Sequence, residues 1–245
     1  MTVAVILPAL NEAASLPRTL QSIRDQSRPP DRLVVVDGGS ADGTATVAGS
    51  FGAEVFVVSC RGRGGQIAAG AAACLDEVIV VAHADMVFPT DALAGIQDHL
   101  IGHPACPGGC LGHRFDSANR VLRIIEWWDR RRAMRGHSYG DQAQFVRRES
   151  LARAGGFPDL PLLEDLELSR RLRQLGRPAY LDRPVTVSCR RYQRVGWART
   201  MWQNWRLRQV YYRLGPEAGW SLYRRYYRPA SADRNAPRPV PHGTC

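Results

Sequence analysis

The chain has 245 residues, enough for one large domain or one domain with an appendage. With 44% hydrophobic and 23% charged residues it lies in the ordinary globular range, which excludes a largely disordered, collagen-like or coiled-coil chain. All 33 basic residues are Arg, and they are unevenly placed: residues 1–110 hold six Arg against eleven Asp and Glu, whereas 111–245 hold twenty-seven against twelve. An acidic half before a basic half points to an anionic partner, whether phosphate, lipid surface or nucleic acid; solvated Arg faces under biased coding would give the same count.

Apolar runs bounded by turn residues occur at Val3–Leu7, Leu33–Val36, Val55–Val58 and Val78–Val81. Between them lie stretches of helical spacing such as Leu16, Leu20 and Ile23, a βαβ pattern that predicts a parallel sheet. A helix is expected from just after Pro89 to about His99, then a strand into Leu111-Gly112-His113. Arg120–Arg135 reads as an aromatic and basic helix containing Trp127-Trp128, and Gln144–Arg147 as a short strand. Glu164–Leu175 is helical, with Leu166, Leu168, Leu172 and Leu175 at its buried positions. Short β segments at Ala179–Leu181 and Val185–Cys189 precede a last helix, Trp197–Leu214, and the Pro-rich end is expected to be disordered.

Six scattered cysteines without a Cys-x-x-Cys pair argue against zinc and for a reducing compartment. The apolar start meets Pro8, Asn11 and Glu12 within a dozen residues and lacks a basic leader, so it reads as a buried first strand. No run approaches the roughly 20 apolar residues of a spanning helix. The expected location is cytoplasmic, with peripheral association on the inner face of the membrane left open.

Polar clusters follow each of the first four strands: Asn11-Glu12, Asp37–Ser40, Arg61–Gly65 and His83–Asp85. In open α/β sheets ligands bind outside the carboxyl ends of the strands, so this edge is the expected site. Asp37 at a strand end can accept hydrogen bonds from ribose or a base N–H, or serve an ordinary βα turn, and Ser40 or Asp42 can cap the next helix. The Gly-rich Arg61–Gln66 segment suits an anion, with Arg63 as a clamp, yet it fits neither the P-loop nor the dinucleotide fingerprint. Asp85, after the most apolar strand, can hold a divalent cation shared with a diphosphate or simply cap a turn. Glu164 and Asp165 open a helix, where the macrodipole favours anions and where one carboxylate can act as general base.

Together these clusters resemble the family 2 glycosyltransferases of GT-A fold. Pro8-Ala9-Leu10-Asn11-Glu12 is similar to their opening nucleotide-site motif, Asp37–Thr44 to their Asp-Asp-Gly-Ser-x-Asp-Gly-Thr turn, His83-Ala84-Asp85 to their Asp-x-Asp metal motif, and Glu164-Asp165 to their Glu-Asp pair. A narrower resemblance is to the bacterial subgroup found beside radical-SAM and selenodomain proteins and named for arsenosugar biosynthesis, through Arg61-Gly62-Arg63, His83–Asp85, Tyr139–Gln142 and Glu164–Leu172. The resemblance implies an α/β GT-A domain, a mostly parallel sheet flanked by helices, over 1–190. A basic and aromatic helical extension would then occupy 191–228 and a tail 229–245.

It also implies an inverting transfer from a nucleoside-diphosphate sugar to an acceptor hydroxyl, assisted by Mg2+ or Mn2+. Asp165 would be the base and Glu164 its orienting neighbour. Pro8, Glu12, Asp37, Arg63, His83 and Asp85 would form the donor site, with Asp85 as metal ligand, and Trp128, Tyr139, Asp141 and Gln142 the acceptor side. Two positions depart from the family pattern: Gly38 stands for the second Asp of the turn, and His83 for the first acid of the metal motif.

In the second half Arg190, Arg191, Trp197, Trp202, Trp205, Arg206, Arg208 and Tyr211–Arg213 combine basic charge with aromatics. They fit a peripheral helix on an anionic membrane, or a helix whose aromatics pack on the domain while Arg reaches solvent or donor phosphate; the packed reading is favoured. A sugar nucleotidyltransferase is disfavoured because its motif needs a Lys. A degenerate transferase domain acting as a membrane-surface or nucleic-acid module is the alternative, although no RNA-binding signature occurs and nucleic acid is not expected.

Overall fold

The computed structural model describes residues 1–58 and 62–215, except for the side chain of Arg191. In chain order the elements are β1 Val3–Ala9, α1 Leu16–Arg24, β2 Arg32–Asp37, α2 Thr44–Ser50, β3 Glu54–Val57, α3 Arg63–Ala73, β4 Val78–Val81, β5 Met86–Val87 and α4 Ala92–Gly102. There follow β6 Gly108–Cys110, β7 His113–Phe115, α5 Arg120–Ala133, a 3-10 turn Gly140–Gln142, β8 Gln144–Arg147 and α6 Arg148–Arg153. The last are α7 Glu164–Leu175, β9 Ala179–Tyr180, β10 Val185–Val187, α8 Arg190–Val195 and α9 Trp197–Leu214.

One sheet has the order β3-β2-β1-β4-β8-β6-β9, parallel through β3-β2-β1-β4, with β8 antiparallel to both β4 and β6. A second, three-stranded sheet runs β5-β10-β7. All seven residues of β1 are buried because helices cover both faces. Alternate residues divide between two cores: Val3, Val5 and Leu7 pack with Leu16, Leu20, Ile23 and Ile96, and Ala4 and Ile6 with Ile67, Leu168 and Leu172. With both faces sealed, polar side chains of the strands collect at their ends.

The strand expected at Leu111–His113 is instead a crossing point. Leu111 N–H bonds the Gln142 carbonyl at 2.9 Å, Gly112 takes a left-handed φ of +80°, and the chain leaves the large sheet at β6 to enter the small one at β7. The helix expected over Arg120–Arg135 ends at Ala133, and that expected from Pro89 starts at Ala92 and runs to Gly102. Glu164–Leu175, Gln144–Arg147 and Trp197–Leu214 form as expected. The Pro-rich end lies outside the described residues.

Helix α9 is fastened to α7 by Glu167, which is buried and bonded by Arg170, Arg171 and the Tyr211 hydroxyl. These donors push its carboxyl from the ordinary 4.5 down to about 2, while burial and the same carboxylate push Tyr211 up to about 12. A carboxyl lowered by folding contributes stability that is complete above the ordinary value and is lost as pH falls toward about 2. Thermal unfolding between pH 5 and 2 should therefore lose part of its acid dependence in Glu167→Gln, and Tyr211→Phe should cost about 1 kcal/mol at neutral pH.

Candidate functional site

The four strand-end clusters meet the N-terminus of α7 on one edge of the sheet. Pro8 is buried within β1, pairing with Val36. Asp37 ends β2 and is buried; its Oδ1 accepts from the Ser40 hydroxyl at 2.6 Å and from the amides of Gly39 and Ser40 at 3.1 and 2.8 Å. Ser40 in turn accepts from Asn11 N–H at 2.8 Å, and Thr44 from Glu12 N–H at 2.9 Å, so the first two clusters form one hydrogen-bonded shelf. Neither expected cap holds the N-cap position of α2, which is Gly43 without a side-chain cap: Asp42 accepts from the Thr44 amide at 3.1 Å and Ser40 serves Asp37.

The departure at Gly38 has a steric cause. A Cβ there would lie 2.4 Å from Gln66 Nε2, and that amide, held on α3, donates to the Ala9 carbonyl at 2.9 Å. Gln66 thus takes the space a second Asp would use.

Arg63, expected on the diphosphate, instead pairs with the acids of α7: its Nε bonds Glu164 Oε1, and its Nη2 lies 3.6 Å from Asp165 Oδ2. Glu164 is buried, which pushes its carboxyl up while the Arg63 charge opposes the shift. Asp165 Oδ2 accepts from Gly140 N–H at 2.6 Å and Oδ1 from Leu166 N–H at 2.6 Å, so both oxygens are oriented. Gln144 on β8 donates to the Asp165 carbonyl at 3.0 Å and to Ser138 and Ser169 at 2.8 and 3.0 Å, fixing α7 against the turn.

Gly140 touches this carboxylate, and His83 packs against Gly140. A Cβ at Gly140 would lie 2.7 Å from His83 Cε1 and 3.1 Å from Asp165 Oδ2. Burial and the Arg63 charge hold His83 well below its usual pKa, a neutral imidazole whose enclosed Nε2 has no partner among the described residues. Asp85 is raised by burial, then by the charges of Glu12 and Asp141, while Arg190 opposes the shift. An acid crowded by acids at the mouth of a sheet edge suits a divalent cation carrying diphosphate oxygens. The three non-glycine residues with left-handed φ, Asn11 (54°), Ala143 (47°) and Leu163 (63°), adjoin the opening motif, the 3-10 turn and the acid pair, as expected where backbone strain serves a site.

On the acceptor side Tyr139 lies under the Arg132 guanidinium, 3.8 Å from its centroid, and its hydroxyl accepts from Arg208 Nη1 at 3.3 Å. Asp141 and Gln142 follow in the turn. Trp128 does not join them: it is 60% exposed, with its ring against that of Trp127. Trp127 does line a cleft of about 200 Å3, with His113, Arg114, Arg130 and Gln142. Arg61 lies outside the described residues. The sequence pattern gave no signal for Gln66, Gln144, His113 or Asp129, because each acts through a partner distant in the chain.

Residues 4–149, more than half of the chain, match glycosyl transferase family 2. The chain belongs to this family. It is 42% identical over 83 residues to the uncharacterized glycosyltransferase Rv0539 of Mycobacterium tuberculosis, a match covering 34% of this chain and 36% of that protein. Among solved structures it resembles S. aureus TarS 1-349 in complex with UDP-GlcNAc, with TM-score 0.63, 15% identity, and 77% and 58% of the two chains covered. It also resembles the mannosyltransferase PcManGT from Pyrobaculum calidifontis in complex with GDP-Man and Mn2+, with TM-score 0.61, 24% identity, and 76% and 56% covered. The chain thus spans about a third of the length of the mycobacterial relative. The mostly parallel sheet with flanking helices is the expected GT-A fold.

The Gly38 contact is open to direct measurement. Gly38→Ala should destabilise the family 2 domain by about 1–3 kcal/mol through overpacking. Gln66→Ala in the same background should recover most of that loss, a coupling read from a double-mutant cycle of denaturant unfolding.

Proposed function

We propose that the chain transfers a sugar from a nucleoside-diphosphate sugar to an acceptor hydroxyl with inversion, Asp165 acting as general base. The observation that carries this is the Asp165 carboxylate, oriented by Gly140 and Leu166 amides beside Arg63, on the edge where Glu12, Asp37 and Asp85 gather. The family membership and the nucleotide-sugar complexes of TarS and PcManGT support it. The narrower placement in the arsenosugar-named subgroup rests on the four segments given above.

As the acceptor oxygen bonds the anomeric carbon, its proton passes to Asp165 and the bond to the diphosphate breaks. The Gly140 and Leu166 amides hold the carboxylate toward the acceptor. Glu164 keeps Arg63 beside it, and the Arg63 charge offsets negative charge developing on the leaving group. Neutral His83, its ring enclosed against Gly140, borders the donor site without adding charge. Asp37 and Glu12 meet the nucleoside, Pro8 shaping the floor beneath them. Tyr139, Asp141 and Gln142 border the acceptor. Asp85 would hold Mg2+ or Mn2+, which supplies charge neutralisation to the departing diphosphate.

The reading includes peripheral attachment to an anionic membrane through the extension over 191–228. The favoured packing of the α9 tryptophans does not occur: Trp197, Trp202 and Trp205 are all about half exposed, and the helix docks through Thr200, Leu207 and Tyr211. Arg199, Arg206 and Arg213, seven residues apart, form a ridge beside Trp202, Trp205 and Tyr212, and residues 190–214 hold seven Arg and no acid. Among the described residues no helix is long and apolar enough to cross a membrane.

Asp165→Asn should lower transfer by about 10²–10⁴-fold while nucleotide binding persists, and Asp85→Ala should remove Mn2+-dependent thermal stabilisation by the UDP- or GDP-sugar that the wild type binds. No stabilisation of wild type by any nucleotide sugar would overturn the reading. In flotation assays the full chain should bind phosphatidylglycerol vesicles and not phosphatidylcholine ones. Arg206→Gln should weaken that binding about fivefold, and equal recovery on both vesicles would refute attachment.

A further inference from the structure

His113, Asp129 and Asp141 come together outside the four strand-end motifs. His113 opens β7, Asp129 lies near the end of α5, and Asp141 is the middle residue of the 3-10 turn. The His113 side chain is 1% exposed, and neither ring nitrogen has a hydrogen-bond partner among the described residues. Nε2 faces Asp129 Oδ2 across 3.7 Å and Nδ1 faces Asp141 Oδ2 across 3.9 Å, both too long for a hydrogen bond. Asp141 Oδ1 is also enclosed and unpartnered. Leaving these groups unpaired is costly, so a buried imidazole set between two carboxylates calls for a partner.

The donor set defines the occupant. One ligand atom from each residue lies within 4.8 Å of the other two. An imidazole nitrogen with two carboxylates suits Mn2+, Co2+ or Zn2+ better than Mg2+. Arg132 Nη1 holds Asp129 Oδ1, leaving Oδ2 toward the histidine, the outer-shell arrangement that orients ligating carboxylates. Two carboxylates against one guanidinium leave a negative balance for a cation to meet.

We propose that His113, Asp129 and Asp141 form a second cation site that binds a divalent transition-metal ion in the absence of nucleotide. It differs in kind from the donor site, where Asp85 alone would share its ion with a diphosphate. The ion joins β7, α5 and the turn whose Gly140 amide orients Asp165, so it is a positioning element for the acceptor side.

The test is a titration of the full chain, stripped with EDTA and free of nucleotide, with Mn2+ followed by loss of the free-ion EPR signal and with Co2+ followed by its visible bands. Wild type and Asp85→Ala should each take up one equivalent with equal affinity. His113→Gln and Asp129→Asn should each weaken uptake at least about tenfold and lose the Co2+ bands. Circular dichroism establishes that each variant is folded, and the more exposed Asp129 decides if the His113 variant is not. Absence of uptake by wild type, meaning that water fills the space, overturns the proposal, as does wild-type affinity in both variants. Nucleotide binding measured on the same samples reports separately on the transferase reading.

Discussion

Burying Glu164 at the start of α7 creates a charge that the fold must answer, and the answer comes from Arg63, 101 residues earlier. A buried carboxylate without a cation would cost several kcal/mol or take up a proton. Because Arg63 is the first residue of α3 and Glu164 the first of α7, their pairing sets two helix starts against each other across the sheet edge. The strand-end shelf built by Asn11, Asp37 and Ser40 and the oriented Asp165 are thereby parts of one rigid edge. Removing Arg63 would leave the enclosed Glu164 without its cation, whereas Arg63, partly exposed and beside Asp165, tolerates the loss of Glu164 better.

The parallel half of the sheet was legible because its strands are buried on both faces, so Val3–Leu7 and Val78–Val81 read as continuous apolar runs with polar residues at their ends. Helix α7 was legible for a different reason: its leucines recur at helical spacing while its first turn carries the acids. The crossing at Leu111-Gly112 was not, since a positive φ and a bond to the Gln142 carbonyl are tertiary facts with no local period. The pairing of Arg63 with Glu164 and Asp165 was not legible, because Arg suits diphosphate and carboxylate equally well and only the fold brings α3 and α7 together. Nor could the sequence choose between Trp127 and Trp128: adjacent residues of a helix point about 100° apart, and Trp127 turns into the cleft while Trp128 is exposed.

The charge asymmetry of the chain acquires a structural meaning in this arrangement. The acidic first half supplies Glu12, Asp37 and Asp85 to the edge, while the basic second half places Arg190 near Asp85 and Arg132 and Arg208 about the Tyr139 ring. Arg132 comes from α5 and Arg208 from α9, so the two exposed aromatic and basic helices flank the same tyrosine. An acceptor that approached Asp165 past Tyr139 would pass between them. The proposed surface attachment and acceptor entry would thus both follow from one placement of helices.

The departures at Gly38 and His83 are physically connected. Each replaces an acid of the family pattern with an uncharged group packed against a neighbouring element: Gly38 against Gln66 of α3, and His83 against Gly140 of the 3-10 turn. A neutral imidazole adds no charge beside Gly140, whose amide orients Asp165. On the proposed reading the donor site keeps one acid of the metal motif, Asp85, for the nucleotide-borne cation. On that reading the cation held by Asp85 would balance the diphosphate, with Arg190 near Asp85 and Arg63 engaged by Glu164 and Asp165.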